Sequence, residues 1–475
     1  MKFLITLTSQ KIGFFCSLAK HLYSHKHQIF FNFVDKDVCN IVKKNLDPFY
    51  EYEISKDKTT KLNNNNGVIN EALRLEKKYN VNISFIISQD RALGRGYIIN
   101  ATSIPKVKRS SWSRQKKIEA ILSKFYYYED LLDRVKPDVI LSIMHKEVLD
   151  IIAKKRGIRY YALTEAKFSN RYRWDDEIIT SNELRRAISE NLRKKETELS
   201  EFDEDLSTPE GPSLLQSQAQ YSYLAGFKES VIIFLKEIYK VIRGSRKKNS
   251  YHFPGWTTLH LKRPYIYSYI SKIGKKQNEL QGQKIVYIPM TLEPEVSSLS
   301  ISPEFTNQFE MIACVSKSLP ADTIIVLKEQ PHGYGSRPKW YYQKLQEMGN
   351  VVIAHPKVPS IDWIKMSGIV ATITGTVGTE AILLKRAVLS FGKNQAINLL
   401  PTVKYCSDYE STLSAYNELI KTKEITFKFS QKVFYNSILN STFVMNDFDL
   451  LGNKYSSKLD KMAVKSADLL MKKLS

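Results

Sequence analysis

Cysteine is scarce and scattered in this chain of 475 residues. Its four cysteines, Cys16, Cys39, Cys314 and Cys406, form no close pair, which excludes a disulfide-stapled scaffold and a CxxC zinc site. No apolar run reaches the roughly 18 residues that a bilayer-spanning helix needs. The first residues lack the small-residue cleavage site of a secretory signal, so we expect a cytoplasmic protein whose chain begins with a buried strand.

Familiar signatures of nucleotide and metal binding are also missing. There is no GxxxxGK[ST] segment, which disfavours a P-loop NTPase, and residues 88–101 contain Gly94 and Gly96 without a complete GxGxxG. DxD triplets are no more frequent than chance allows in so charged a chain, so we expect neither a metal nor a cofactor. These triplets are Asp35–Asp37, Asp203–Asp205 and Asp447–Asp449.

Positive charge, by contrast, is in excess. The chain has 71 lysines and arginines against 49 acidic residues, a formal net charge of +22. This surplus predicts anionic partners, and because no nucleic-acid-binding module is recognisable we expect no nucleic acid among them. The basic stretches 106–117 and 243–248 are interleaved with Trp112, Tyr251 and Trp256. They favour a peripheral contact with an anionic membrane at its inner face.

Short β-branched or aromatic runs alternate with helical patterns along most of the chain. This alternation predicts an α/β fold with two doubly wound, Rossmann-like units whose sheets are mainly parallel. We expect the units at 1–180 and 281–440, a helical insertion and linker at 181–280, and helices at 441–475. Among the single elements, Asn82–Ser88 predicts a strand and Leu163–Glu177 predicts a charged loop.

One loop of the second unit has the composition of a phosphate-binding turn. Ligands of open α/β sheets bind at the carboxyl ends of the strands, and this loop follows the predicted strand Ile369–Thr374. Small residues let backbone N–H groups approach an anion, and the start of the next helix adds partial positive charge. A plain β-α turn capped by threonine is the competing interpretation. The predicted cradle comprises Thr374, Gly375, Thr376, Gly378, Thr379 and Glu380.

Basic side chains follow two neighbouring strands of the same unit. Lys328, His332 and Arg337 come at and after the end of Thr323–Lys328, where they would meet an anionic substrate. His355 follows the next strand and could serve as a donor or acid. The competing interpretation of both segments is an exposed polar loop.

Carboxylates suited to general base catalysis follow strands in both units. Glu293 and Glu295 come after Ile285–Pro289, and Glu165 comes after Arg159–Thr164 with Arg171 nearby. A carboxylate in a cleft can remove the proton of a substrate hydroxyl. The choice among Glu165, Glu293 and Glu295 stays open, with helix capping as the alternative role for the last two.

Four segments between about 284 and 395 resemble the capsule polysaccharide synthesis family, which includes the Kdo-transferase-like GT-B glycosyltransferases. They are IPMTLEPE (Ile288–Glu295), VLKEQPHG (Val326–Gly333), NVVIAHP (Asn350–Pro356) and TITGTVGTEAILLKRAVLSFG (Thr372–Gly392).

In that family a K-x-H/Q-P element and an element rich in threonine and glycine line the nucleotide-sugar cleft. The resemblance places Lys328 and Gln330 in the first element, with His332 two residues beyond the usual histidine position. It places the predicted cradle in the second element, and it matches His355 to an HP element of related sialyl- and Kdo-type transferases.

The resemblance implies a GT-B fold, with an N-terminal acceptor domain, a C-terminal nucleotide-sugar domain and a last helix that crosses back. It implies a metal-independent glycosyltransferase of bacterial surface polysaccharide biosynthesis. Such an enzyme moves a sugar from a nucleotide donor, an acidic CMP-linked sugar being one candidate, to a glycan or lipid-linked glycan. The alternatives are a nucleotide-sugar epimerase, a polyol-phosphate transferase, or a non-catalytic polysaccharide-binding or export scaffold.

Overall fold

A computed structural model describes most of the chain as two compact units. The first unit comprises Met1–Ile86, Arg114–Ala187 and Ser437–Ser475, and the second comprises Ile87–Ser113 and Ile188–Asn436. The end of the chain thus returns to the first unit, as the predicted crossing helix requires. The described residues are 1–8, 11–33, 36–46, 51–54, 65–98, 111–143, 146–166, 168, 170–177, 181–203, 222–242, 253–293, 299–300, 302–445 and 457–474.

The sheet of the first unit has seven strands, of which the central ones are parallel. Their order is β13-β6-β5-β4-β1-β2-β3, and β6 pairs antiparallel with both of its neighbours. The chain therefore leaves β1 toward one edge and returns to build the other edge from β4 onward. The strands are β1 (Lys2–Leu7), β2 (Gln28–Phe33), β3 (Glu51–Ile54), β4 (Val139–Ser142), β5 (Arg159–Glu165), β6 (Arg171–Asp175) and β13 (Phe443–Val444).

The sheet of the second unit has six strands, all parallel. Their order is β12-β11-β10-β7-β8-β9. The strands are β7 (Lys284–Pro289), β8 (Thr323–Lys328), β9 (Val351–Ile353), β10 (Ile369–Thr372), β11 (Ala387–Ser390) and β12 (Val403–Tyr405). The predicted α/β class with two doubly wound units is confirmed.

Helices separate nearly all of these strands. Within the first 300 residues they are α1 (Ile12–Ser24), α2 (Lys36–Asn45), α3 (Asn65–Tyr79), α4 (Ile83–Gln89), α5 (Arg114–Val135), α6 (Glu147–Lys155), α7 (Asn182–Asn191), α8 (Tyr223–Ile242) and α9 (Phe253–Ile273). Later in the chain they are α10 (Gln308–Ser318), α11 (Lys339–Gln346), α12 (Ser360–Met366), α13 (Val377–Leu383), α14 (Tyr409–Leu419), α15 (Glu424–Ser441) and α16 (Ser457–Leu474). In the described part of the chain, every helix is too short or too polar to cross a membrane.

The cores follow from the strand sequences. Runs such as QIFFNF in β2 are apolar on both faces, as strands covered by helices on two sides must be. In the first unit α16 packs against α1, and Leu459, Ala463 and Leu470 of α16 are fully buried. A separate core in the second unit packs around β7, β8 and β10, with Met311 and Tyr342 buried beside them.

Two sequence predictions are wrong. The predicted strand 82–88 is instead largely helix α4, in which Ile83, Ile86 and Ile87 recur at helical spacing and are buried. Asn82 precedes the helix and caps it, since its side-chain Oδ1 accepts from the Phe85 amide at 3.0 Å. The predicted loop 163–177 is largely the β5–β6 hairpin, in which Thr164 pairs with Arg173.

Candidate functional site

The order of strands in the second sheet creates a crevice between β7 and β10. From β7 the chain proceeds through β8 to β9 on one side, and then crosses to build β10, β11 and β12 on the other side. The connections after β7 and β10 therefore depart in opposite directions, and ligands of open α/β sheets bind at such a point. Lys328 ends β8 and Thr372 ends β10, with β7 between them. Two strand spacings are about 10 Å, which a pyrophosphate and its ribose can bridge.

Lys328 is a buried ammonium at this edge. Only 8% of the residue is exposed, and its Nζ donates to the main-chain oxygen of Pro356 at 3.0 Å. Burial lowers the pKa of Lys328 to about 8, although the neighbouring Glu329 carboxylate acts in the opposite direction. The charge of Lys328 is thus easily lost, and an arriving anion would restore it.

His355 lies in the loop after β9, beside Lys328. The ring Nδ1 accepts from the Lys357 amide at 3.2 Å, so the neutral ring carries its proton on Nε2 and presents a donor. Burial lowers the pKa of His355, and the positive charges of Lys276, Lys357 and Lys328 lower it further. Sequence analysis missed Lys276 and Lys357, because Lys276 belongs to a segment about 80 residues earlier and Lys357 is one of many surface lysines.

A glycine allows this histidine loop to pack tightly. A Cβ on Gly274 would lie 2.8 Å from the Cα of His355 and 2.6 Å from the main-chain oxygen of Ile270. The adjacent Lys275 pairs with Ala354 in a parallel bridge, and its oxygen accepts from the His355 amide at 2.8 Å. The end of α9 therefore fixes the backbone from which His355 projects.

Arg337 and Glu293, predicted as anion ligand and base, instead meet each other in the interior. Arg337 is 2% exposed, and its Nη2 lies 3.2 Å from Oε2 of Glu293 and donates to the main-chain oxygen of Thr291. Its Nη1 lies 2.7 Å from Oε2 of Glu329. Burial opposes the charge on Arg337, but the two carboxylates outweigh this effect and hold its pKa well above the usual value. We name Glu293, Arg337 and Glu329 the buried triad.

The triad connects the loop after β7 to the loop after β8. The other oxygen of Glu293 accepts from the Gln308 amide at 2.5 Å, so both of its oxygens are engaged. Glu329 also accepts from the Tyr342 hydroxyl at 2.7 Å. A Cβ on Gly333 would lie 2.1 Å from Oε1 of Glu329, which explains a glycine there. Arg337 and Glu293 thus join the two loops in the interior.

The predicted phosphate cradle is only partly open. Thr374, Gly378 and Thr379 are buried, and Gly378 packs so closely that a Cβ would lie 3.2 Å from Ile397. Gly375 is half-buried and donates its amide to Oγ1 of Thr372 at 3.0 Å. Thr376 is exposed at the start of α13, which has seven residues.

The remaining predicted residues of the second unit are placed as follows. Gln330 is half-buried, and its amide donates to Oε1 of Glu329 at 3.0 Å. Glu380 is half-buried in α13, and burial raises its pKa. His332 belongs to a 3-10 turn, Pro331–Gly333, but its side chain lies outside the described part of the structure, as does Glu295.

The DxD triplets and the basic stretches extend beyond the described residues. Residues 35, 204–205 and 447–449 are not described, nor are 106–110 or 243–248. Within the described part of the chain, no cluster of three His, Cys, Asp or Glu side chains has the arrangement of a metal site.

In the first unit, Glu165 is exposed at the end of β5, and Arg171 opens β6 with its Nη1 3.4 Å from the Thr442 hydroxyl. The sheet order places the crevice of this unit between β1 and β4. Lys146 lies just after β4, and its amide donates to the Tyr160 hydroxyl at 3.0 Å.

Among the residues that the structure describes, the side chain of Lys146 has no counter-charge. Its Nζ is buried and has no hydrogen-bond partner within the described structure, and burial lowers the pKa of Lys146 to about 8. Such a group is unfavourable unless an anion binds it. Sequence analysis missed Lys146, although its position after an apolar strand was a usable signal.

The family comparison agrees with the predicted resemblance. Residues 238–396 match the family model described as "Capsule polysaccharide biosynthesis protein", and this range contains all four resembling segments. The predicted resemblance to the capsule polysaccharide synthesis family is confirmed over this range. No curated protein matches the chain significantly.

Solved structures resemble the chain only distantly. Staphylococcus aureus MnaA with UDP is 11% identical with a TM-score of 0.29, over 99% of this chain and 97% of that one. The β-Kdo 2,7-transferase KpsC of Thermosulfurimonas dismutans is 14% identical with a TM-score of 0.34, over 76% of this chain and 98% of that one. A glycosyltransferase of Rickettsia africae is 11% identical with a TM-score of 0.31, over 99% of this chain and 98% of that one. At these scores no function transfers from one chain to the other.

A variant of Arg337 tests the structural role of the triad. Arg337→Met leaves two buried carboxylates without a cation, so we expect it to destabilise the protein by about 3–5 kcal/mol in urea unfolding. Arg74→Met is the control, because Arg74 pairs with Glu71 at the surface at 2.6 Å and should lose at most about 1 kcal/mol. Equal effects of the two substitutions would contradict the triad's role.

A variant of Lys146 tests whether its burial is costly. The unfolded chain binds a proton at Lys146 up to its ordinary pKa, whereas the folded chain loses that proton above about 8. The free energy of unfolding of the wild type therefore has a contribution that rises between pH 8 and pH 10. The Lys146→Met variant should lack this rise. At pH 7 we expect Lys146→Met to stabilise the protein by about 3 kcal/mol in urea unfolding. The exposed Lys155→Met should change little.

Proposed function

We propose that this chain is a glycosyltransferase of bacterial capsular polysaccharide biosynthesis. It transfers a sugar from a nucleotide donor to a growing glycan, and its second unit binds the nucleotide. The observation that carries this proposal is the proximity of Lys328 and His355 at the carboxyl edge of a parallel sheet, within the range 238–396 that matches the capsule family.

The donor phosphates would bind to Lys328 and to the Nε2–H donor of His355. Lys276 and Lys357 add positive charge without entering the interior, since both are exposed. Departure of the nucleotide leaves negative charge on the phosphate, and fixed cations and donors at that place stabilise the transition state more than the ground state. Thr376 and the half-buried Gly375 would contribute the accessible part of the predicted cradle.

The acceptor hydroxyl needs a base, and the first unit offers Glu165. It is exposed at the carboxyl end of β5, whereas Glu293 has both oxygens engaged in the buried triad. Lys146 at the crevice of the same unit would bind an anionic group of the acceptor, a carboxylate or a phosphate, and so neutralise its buried ammonium. In this scheme Arg337, Glu293 and Glu329 only hold the donor loops in place.

The donor and the cellular location are further parts of the proposal. An acidic CMP-linked sugar suits a cleft rich in cations, and a lipid-linked glycan acceptor would bring the enzyme to the inner face of the membrane. The excess of 22 positive charges supports such a peripheral contact with anionic lipid.

Nucleotide binding should depend on the charge of Lys328. Because burial lowers its pKa to about 8, we expect the affinity for the donor nucleotide to fall as pH rises from 7 to 9, as measured by isothermal titration calorimetry. Lys328→Met should bind at least tenfold more weakly and lose this pH dependence. Lys328→Arg keeps a charge across that range, so its affinity should vary less with pH. A wild-type affinity that does not change with pH would exclude Lys328 as a phosphate ligand.

The proposed activity is tested by nucleotide binding and product analysis. Thermal unfolding with CMP, UDP and GDP should show stabilisation by one of them, and a labelled sugar donor should transfer its label only when a glycan acceptor is present. Conversion of the sugar without acceptor would identify an epimerase, and transfer of a phosphate-containing group would identify a polyol-phosphate transferase. Glycan binding without any response to nucleotides would identify a non-catalytic protein.

A further inference from the structure

Helix α8 exposes large apolar side chains along one face. Seven of them recur at spacings of three and four residues, which places them on the same side of the helix. Their exposed fractions range from 39% for Val231 to 84% for Leu224. The seven are Leu224, Phe227, Val231, Phe234, Leu235, Ile238 and Ile242, and we call them the outer face of α8.

The opposite side of α8 packs against α9 through small residues. Gly226 and Ser230 are buried there, and a Cβ on Gly226 would lie 2.6 Å from the main-chain oxygen of His260. Among the α8 residues whose side chains are described, the buried ones are thus small, whereas the large apolar side chains of the outer face are exposed. This is the reverse of an ordinary surface helix, in which the large apolar face is the buried one.

The segment that bears this face is strongly basic. Residues 222–273 contain ten lysines and arginines against two glutamates, Glu229 and Glu237, a surplus of eight positive charges. Two copies of this chain meeting through α8 would bring these surpluses together and repel each other. An apolar face on a basic segment instead fits a lipid bilayer, whose core is apolar and whose headgroups can be anionic.

We propose that the outer face of α8 docks onto an anionic lipid bilayer, with its apolar side chains inserted among the acyl chains and the exposed lysines of the same helix, Lys228 and Lys236, at the headgroups. The proposal rests on the function proposed above only for its biological purpose, which is to hold the enzyme near a lipid-linked acceptor.

The test is vesicle flotation of the full chain. Wild-type protein should bind vesicles containing phosphatidylglycerol at least tenfold better than pure phosphatidylcholine vesicles, and high salt should weaken this binding. Phe227→Glu/Phe234→Glu places two carboxylates on the outer face and should lower binding to the anionic vesicles at least tenfold. The matched control is Ile420→Glu/Ile425→Glu, which changes two exposed isoleucines elsewhere in the second unit and should bind nearly as well as wild type.

Two results would overturn the docking proposal. One is wild-type binding of anionic vesicles by the Phe227→Glu/Phe234→Glu variant. The other is a wild-type dimer in light scattering that the same variant converts to a monomer, which would assign the face to a second copy. Thermal stabilisation by CMP, UDP or GDP, measured on the same samples, separates the two proposals. If only the nucleotide proposal is wrong, the protein still binds anionic vesicles but no nucleotide stabilises it. If only the docking proposal is wrong, a nucleotide still stabilises the protein but it does not bind the vesicles through α8.

Discussion

The guanidinium of Arg337 lies between the carboxylates of Glu293 and Glu329, with almost no access to water. Each of these three charges would be prohibitively unfavourable alone in the interior, so each requires the other two to stay in place. Since Glu293 follows β7 and Glu329 follows β8, their shared cation keeps two adjacent loops at a fixed separation. The positions of Lys328 and of the crevice beside β7 depend on that separation.

The three buried cations discussed above differ in whether a carboxylate lies beside them. Arg337 has two carboxylate partners and is therefore a structural cation. Lys328 and Lys146 are buried with weak or no compensation, and burial brings the pKa of each to about 8. A buried cation that has no carboxylate partner is stabilised in its charged form when an anionic ligand binds to it. Burial together with missing counter-charge, rather than basicity alone, marks the residues proposed to bind substrate.

Charge and apolar surface are combined differently on α8. There large apolar side chains are exposed on the outer face, Gly226 lies close to α9, and Lys228 and Lys236 are exposed on the same helix. Lys328 is therefore a recessed cation, whereas the outer face of α8 is an exposed apolar surface with lysines beside it. We propose that the first binds phosphate and that the second contacts a lipid bilayer.

The sequence by itself determined the α/β class, most strand and helix positions and the location of the loops at the carboxyl edge of the second sheet. These follow from local patterns, since a buried parallel strand is a short apolar run and a loop after it lies at the carboxyl edge. The prediction failed where the spacing of apolar residues and the residue types disagreed. In α4 the β-branched residues suggested a strand, although Ile83, Ile86 and Ile87 recur at helical spacing. Only the tertiary structure decided which charged residues pair. Glu293 reaches Arg337, and Lys276 reaches His355, from loops far away in sequence. Burial, which lowers the pKa of Lys328 and Lys146, is a property of the packed chain.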